Sequence, residues 1–163
     1  PLSPLHQKFL HHLTSPNLSL PSLRSLSWLG VPPSLRGPVW RLLLSYAPTN
    51  YDRRSAVLKR KRDEYARALQ SLHMDTGSHT KSTAAALRQI LVDLPRTEPK
   101  SPLFQCAAVQ GMLRRVLYLW SVRNPACGYV QGLNDVCCPL VYVFLGERCG
   151  GEGGGGDGRS LVV

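Results

Sequence analysis

This 163-residue chain has no long apolar run, few acidic groups and few aromatic rings. Its longest apolar stretch, Val136 to Leu145, is ten residues and contains Pro139, short of the roughly 20 that a membrane-crossing helix needs. No basic-then-apolar leader opens the chain, so the expected location is the cytosol or a membrane's cytosolic face. Asp and Glu number 10 against 20 Lys and Arg, a formal charge of +10. Basic proteins of this kind often bind nucleic acid. Here, however, aromatic residues are 7% and are not interleaved with the basic ones, and no groove-reading motif appears. No Gly-x-x-x-x-Gly-Lys loop is present, so the chain is not expected to hold a nucleotide of its own. There is no convincing alternating strand and no internal repeat.

Metal and nucleophile chemistry are equally thin. Cys106, Cys127, Cys137, Cys138 and Cys149 are odd in number and lack paired metal spacing. They read as reduced thiols, four of them buried or half-buried. His6, His11 and His12 share the helix-like stretch 4–13, with no further ligands at fixed spacing. No local signature names a Cys/His or Ser/His nucleophile pair. No metal site is expected.

What is present is a helical protein with a core: 43% hydrophobic and only 18% charged residues, in a length that suits one domain. Residues 1–21 carry four prolines and several serines and read as a loosely ordered arm. Ser22 is expected to cap a short helix ending at Gly30. Pro33 starts the next at a first-turn position, running to about Ala47 and burying Leu35, Val39, Leu42, Leu43 and Tyr46. Asn50 or Asp52 caps a long polar helix reaching Leu72. Helices follow at about Thr83–Leu94, with Ala86, Leu87, Ile90 and Leu91 inside, at Leu103–Val122, with Val109, Leu113, Val116, Leu117 and Trp120 inside, and at Leu133–Leu145. Seven of the 14 glycines fall in 150–158, so 149–163 is expected to be a disordered tail. The basic cluster Arg53, Arg54 and Lys59 to Arg62 is most simply a solvated face. An anionic membrane surface is its next reading.

Two segments stand out. Ile90-Leu-Val-Asp93-Leu-Pro-Arg96 offers an arginine just past a helix end, because Pro95 disfavours helical geometry at Leu94. Asp93 is near enough to orient it. Tyr129-Val-Gln131-Gly132 offers a glutamine in a turn bracketed by Gly128 and Gly132. A guanidinium is permanently charged and forked, suited to phosphate oxygens. A glutamine amide both donates and accepts, so it can hold a water without taking its proton. Those are the two needs of GTP hydrolysis: charge stabilisation on the phosphoryl group and an aligned water.

The order Gly30-Val-Pro32…Arg36-Gly-Pro-Val-Trp40, then Ile90-x-x-Asp93-x-x-Arg96, then Tyr129-x-Gln131-Gly132-Leu-Asn134 resembles the TBC domain, a family of GTPase-activating proteins for Rab GTPases. The flanking residues are most similar to its member 22 branch. The resemblance covers about Leu26 to Glu147, roughly the N-terminal half of such a domain, and implies an all-α multi-helix fold, here a partial domain over 22–148. The chain is accordingly expected to be a fragment or alternative product. The resemblance further implies that Arg96 and Gln131 are the catalytic fingers, with Asp93, Tyr129, Arg36, Trp40 and Asn134 in support. The partner would be a Rab family small GTPase, bringing its own GTP and magnesium. Two other readings stand beside it: a non-catalytic interaction module with exposed apolar helix faces, and a basic fragment that binds membrane surfaces.

Overall fold

Prolines open the first helices rather than breaking them. The computed structural model describes residues 2–72 and 80–149. Helix α1 is Pro4–Thr14, with Pro4 in its first turn and Ser3 as cap, accepting the His6 N–H at 3.2 Å. Phe9 and Leu13, one turn apart, are buried. The helix-like stretch read at 4–13 is present as α1, and the loosely ordered arm expected over 1–21 is corrected to that extent, since Phe9 and Leu13 dock it. Helix α2, Leu20–Ser27, is capped by Ser19 rather than Ser22; the Ser19 hydroxyl accepts the Ser22 N–H at 3.4 Å.

Pro33–Leu35 forms a 3-10 turn, and α3, Arg36–Leu43, follows it. The expected extension to Ala47 fails because Ser45 takes φ +57, and Tyr46 and Ala47 both turn their N–H groups back onto the Arg41 carbonyl at 2.8 Å. Leu35, Val39 and Leu42 are buried as expected, whereas Tyr46 is exposed. The chain then returns along residues 16–18. Asn17 and Asn50 form an isolated antiparallel bridge, and the Leu18 N–H donates to the Thr49 carbonyl at 3.2 Å. Asn50 also accepts the Arg53 N–H at 3.1 Å just ahead of α4, Arg54–Gln70, which buries no residue. On α4, Lys59 pairs with Asp63 and Arg60 with Glu64, all well exposed, as a solvated face would have it.

The chain divides into two compact units, one through Tyr65 and one from Ala66. The first unit's core is Phe9, Leu13, Leu18, Leu23, Leu35, Val39, Leu42 and Ala47, with Trp40 half-buried against it. The second holds α5, Lys81–Asp93, α6, Pro102–Gln105, α7, Ala107–Arg123, and α8, Leu133–Cys149. Thr80 caps α5 by accepting the Thr83 N–H at 3.2 Å. Helix α5 packs on α7, and Ile90, Leu94, Phe104, Leu113 and Leu117 centre the core.

The single helix expected over 103–122 is broken at Cys106, whose φ/ψ of −67/128 is extended. Leu91 and Trp120, expected inside, are partly exposed, and Met112, Tyr118 and Leu119 are buried. Of the cysteines, Cys138 is buried and Cys137 half-buried, but Cys106 and Cys127 are exposed, contrary to expectation. Among the described residues there is no strand, and no helix is long and apolar enough to cross a membrane. The glycine-rich stretch from 150 onward lies outside the described residues.

Candidate functional site

Pro95 has no N–H to continue the α5 ladder, so α-type bonding stops at Asp93. The chain does not leave the helix abruptly. Leu94 keeps helical angles (φ −57, ψ −47), and Leu94–Arg96 form a 3-10 turn closed by the Thr97 N–H on the Leu94 carbonyl at 3.1 Å. Arg96 is thus the last residue of a tight turn anchored by buried Leu94, where helical geometry persists although Pro95 disfavours it.

The second turn depends on glycine. Gly128 at φ +59 and Gly132 at φ +99 occupy left-handed backbone, which side-chain-bearing residues seldom adopt. Between them Tyr129 is half-buried and Gln131 is exposed. The Leu133 N–H closes onto the Val130 carbonyl at 3.1 Å, and α8 begins there.

Asp93 joins the two turns. It is fully buried, and Arg96 Nη2 and Gln89 Nε2 both donate to its Oδ1, the latter at 3.0 Å. The Tyr129 hydroxyl lies 2.8 Å from Asp93 Oδ2 and 3.2 Å from Asn134 Oδ1. Its one proton belongs with the nearer, charged carboxylate. Asn134, also buried, accepts the Gly132 N–H on Oδ1 at 3.2 Å and donates from Nδ2 to Thr97 Oγ1 at 2.9 Å. The Thr97 hydroxyl donates in turn to the Asp93 carbonyl at 2.9 Å, and Gln105 Nε2 donates to the Thr97 carbonyl at 3.2 Å.

Burial by itself would raise the Asp93 pKa. The hydrogen bonds from Tyr129, Arg96 and Gln89, with the Arg96 charge, outweigh it and hold the carboxyl below its ordinary value. Burial, then the bond to Asp93, pushes the Tyr129 phenol above its ordinary value. At neutral pH the pair is carboxylate and neutral phenol. Arg96 itself remains half exposed, with one Nη committed to Asp93 and its other donors unclaimed by that contact.

Of the residues singled out in the sequence, Arg96, Asp93, Tyr129 and Asn134 meet in this network, and Gln131 sits in the turn that the network holds. Arg36 and Trp40 belong to the first unit. Arg36 Nε donates to the Val31 carbonyl at 3.2 Å, and Trp40 packs on that unit's core. Neither joins the network. Sequence reasoning missed Gln89, Thr97 and Gln105. The first two stand four residues before and after Asp93, where a helix-borne amide reaches the carboxylate and a Thr hydroxyl bonds back to the i−4 carbonyl. That spacing was a usable signal; Gln105 offered none.

The sequence model of the Rab-GTPase-TBC domain matches residues 33–149, and the chain belongs to that family. It is 44% identical to TBC1 domain family member 22B of Homo sapiens over 142 residues, covering 86% of this chain and 28% of that protein. It is 46% identical to the GTPase-activating protein GYP1 of Saccharomyces cerevisiae over 125 residues, 77% of this chain and 19% of that one. Among solved structures, the Ypt/Rab-GAP domain of Gyp1p superposes with a TM-score of 0.80 at 41% identity, over 88% of this chain and 44% of that one. The all-α fold is that of this family. The chain spans under a third of the length of these curated relatives.

Proposed function

We propose that this chain carries the two catalytic groups with which a TBC domain accelerates GTP hydrolysis by a Rab family GTPase. The observation that supports this most directly is the buried Asp93 carboxylate, which binds Arg96 on one side and Tyr129 on the other. An exposed arginine and an exposed glutamine thereby stand on turns that are cross-braced within one unit. Pre-set geometry of that kind lowers a barrier because the groups need not be ordered during reaction.

In this reading Arg96 turns its free donors to the charge that develops on the transferring phosphoryl group. Gln131 holds the attacking water in line, with its carbonyl accepting and its NH₂ donating. Neither group abstracts a proton. GTP and magnesium are held by the GTPase. Exposed Val130 and Val136, beside Gln131 and in the first turn of α8, offer apolar contact for the same partner.

The test is single-turnover GTP hydrolysis by a panel of Rab GTPases with the chain added. At least one should be accelerated, and a Rab whose own water-positioning glutamine is replaced by Leu should still respond to wild type but not to Gln131→Ala. No acceleration of any Rab overturns the reading for this chain; an unchanged response to Gln131→Ala overturns the role of the glutamine.

A second reading, contact with an anionic membrane, has its own observation. Trp28 and Leu29 are 88% and 94% exposed, and residues 1–51 contain no Asp or Glu. Indole rings and basic side chains both favour anionic interfaces. Binding to phosphatidylserine vesicles should weaken with salt and with Trp28→Ala. Insensitivity to both removes this reading.

A further inference from the structure

We infer that Thr97 is a positioning residue: its buried hydroxyl carries the geometry of the arginine turn to the glutamine turn. The inference rests on the function proposed above for Arg96 and Gln131, but the bridge itself is a matter of hydrogen-bond direction.

Thr97 is fully buried, next in sequence to Arg96. Its backbone N–H closes the 3-10 turn on Leu94, and its carbonyl accepts from Gln105. The main chain at Thr97 is therefore held from both ends, and the hydroxyl has a defined origin. Its proton goes to the Asp93 carbonyl, which leaves oxygen lone pairs for Asn134 Nδ2. The orientation of the Asn134 amide is fixed by chemistry. Gly132 N–H can only donate, so Oδ1 must face it; the Asp135 carboxylate, 2.9 Å from Nδ2, can only accept. A single directed path results, from Gly132 N–H to Asn134 Oδ1, from Asn134 Nδ2 to Thr97 Oγ1, and from the Thr97 hydroxyl to the Asp93 carbonyl. It starts at the peptide that follows Gln131 and ends at the residue that holds Arg96.

This path is separate from the Tyr129–Asp93 bond, so the two turns are braced twice. The tyrosine brace fixes side chains, whereas the threonine brace reaches the backbone of the glutamine turn. Replacing the hydroxyl by a methyl leaves one buried Asn134 N–H and the Asp93 carbonyl without this partner, while shape is kept. The Asn134 amide is then free to tilt, and the Gly132 peptide with it.

The experiment compares the full chain with Thr97→Val and Thr97→Ser. Two readouts are taken: hydrogen exchange of the Gly132 amide, and single-turnover stimulation of a responsive Rab. Thr97→Val is expected to speed Gly132 exchange by about tenfold and to lower the maximal hydrolysis rate by about tenfold, with the half-saturating concentration little changed. Thr97→Ser, which restores the hydroxyl, is expected to behave as wild type in both. If Thr97→Val does not fold, the pair Thr97→Ser and Thr97→Ala, which differ in the hydroxyl alone, reads the same contrast. Unchanged Gly132 exchange on loss of the hydroxyl overturns the bridge, and so does equal impairment by Ser and the hydroxyl-free variant. If wild type stimulates no Rab, the functional reading fails while Gly132 exchange still decides the bridge.

Discussion

Among the described residues, the buried side chains of the first unit, such as Phe9, Leu23, Val39 and Leu42, are apolar, whereas the second unit buries Asp93, Thr97, Ser121 and Asn134 beside an apolar cluster of its own. The difference is one of purpose. An apolar core needs only volume and excluded water, and tolerates exchange of one hydrophobe for another of similar size. A buried carboxylate is costly unless every lone pair is used, and breaking its pairing is far more harmful than never having had it. Among the described residues, three of the four buried polar ones, Asp93, Thr97 and Asn134, belong to one network around the arginine and glutamine turns. Such a network does more to fix orientation than to add stability. Its position in one unit alone marks where precision is required.

The comparison is tested most severely at Arg96. On the proposed mechanism Arg96→Ala lowers the maximal rate of stimulated GTP hydrolysis by roughly 10³-fold or more, on the order of 4 kcal/mol. The buried Asp93 carboxylate loses its paired charge, but Arg96 is half exposed and Asp93 keeps Tyr129 and Gln89, so the loss of stability should be only about 1–2 kcal/mol, well short of the loss of rate. Single-turnover hydrolysis beside urea titration checks both. A rate within tenfold of wild type, or a loss of stability matching the loss of rate, makes Arg96 part of the scaffold instead.

Next in size is the contrast between cores. Phe9→Ala, which empties an apolar site, is expected to destabilise by about 3–5 kcal/mol at any pH where the chain folds. Asp93→Ala is expected to cost a similar amount at neutral pH, because buried donors lose their acceptor. Only the second cost should depend on acid. The Asp93 carboxyl has its folded-state pKa below the ordinary value of about 3.9, so its stabilisation is full well above that value and is lost as pH falls through the depressed one. Urea midpoints from pH 7 to pH 3 should show the Asp93→Ala gap closing below about pH 4 while the Phe9→Ala gap stays constant. Gaps that run in parallel would mean that Asp93 contributes through packing.

How much of this could be read from the sequence depends on what kind of signal each element left. The end of α5, the nearness of Asp93 to Arg96 and the glycine-bounded turn followed from Pro95, Gly128 and Gly132, whose backbone restrictions act locally, whereas the meeting of Tyr129 with Asp93, 36 residues apart, was implied only by the family resemblance. Helix α1 shows in the sequence as the helix-like stretch 4–13, but the prolines of 1–21 make its surroundings read as a loosely ordered arm. Yet Pro4 and Pro21 each sit in the first turn of a helix, where a missing N–H costs nothing, and Phe9 and Leu13 already held the one-turn spacing. Leu91 and Trp120 were assigned to the interior by periodicity alone, and their exposure is set by which neighbours pack against α5 and α7. The extended break at Cys106 left no local signature. Gln89 and Thr97 were legible at four-residue spacing from Asp93, but only once that carboxylate was known to be buried.

The smallest effect is also the one that separates the two braces. Tyr129→Phe removes a single proton from the network and is expected to cost about 1–2 kcal/mol at neutral pH. The neutral phenol is the form that donates to Asp93, and its folded-state pKa lies above its ordinary value of about 10. The stabilisation it brings is therefore complete below about pH 10 and is lost as pH rises through the raised value, the mirror image of the Asp93 limb. Urea midpoints for wild type and Tyr129→Phe should differ by a constant amount from pH 6 to about pH 9 and converge above about pH 10. Gly132 exchange, which the Thr97 path controls, should move less in Tyr129→Phe than in Thr97→Val. If the phenol variant loosens Gly132 as much as the hydroxyl variant does, the two braces are one, and Asn134 Oδ1, which lies within reach of both, is where they join.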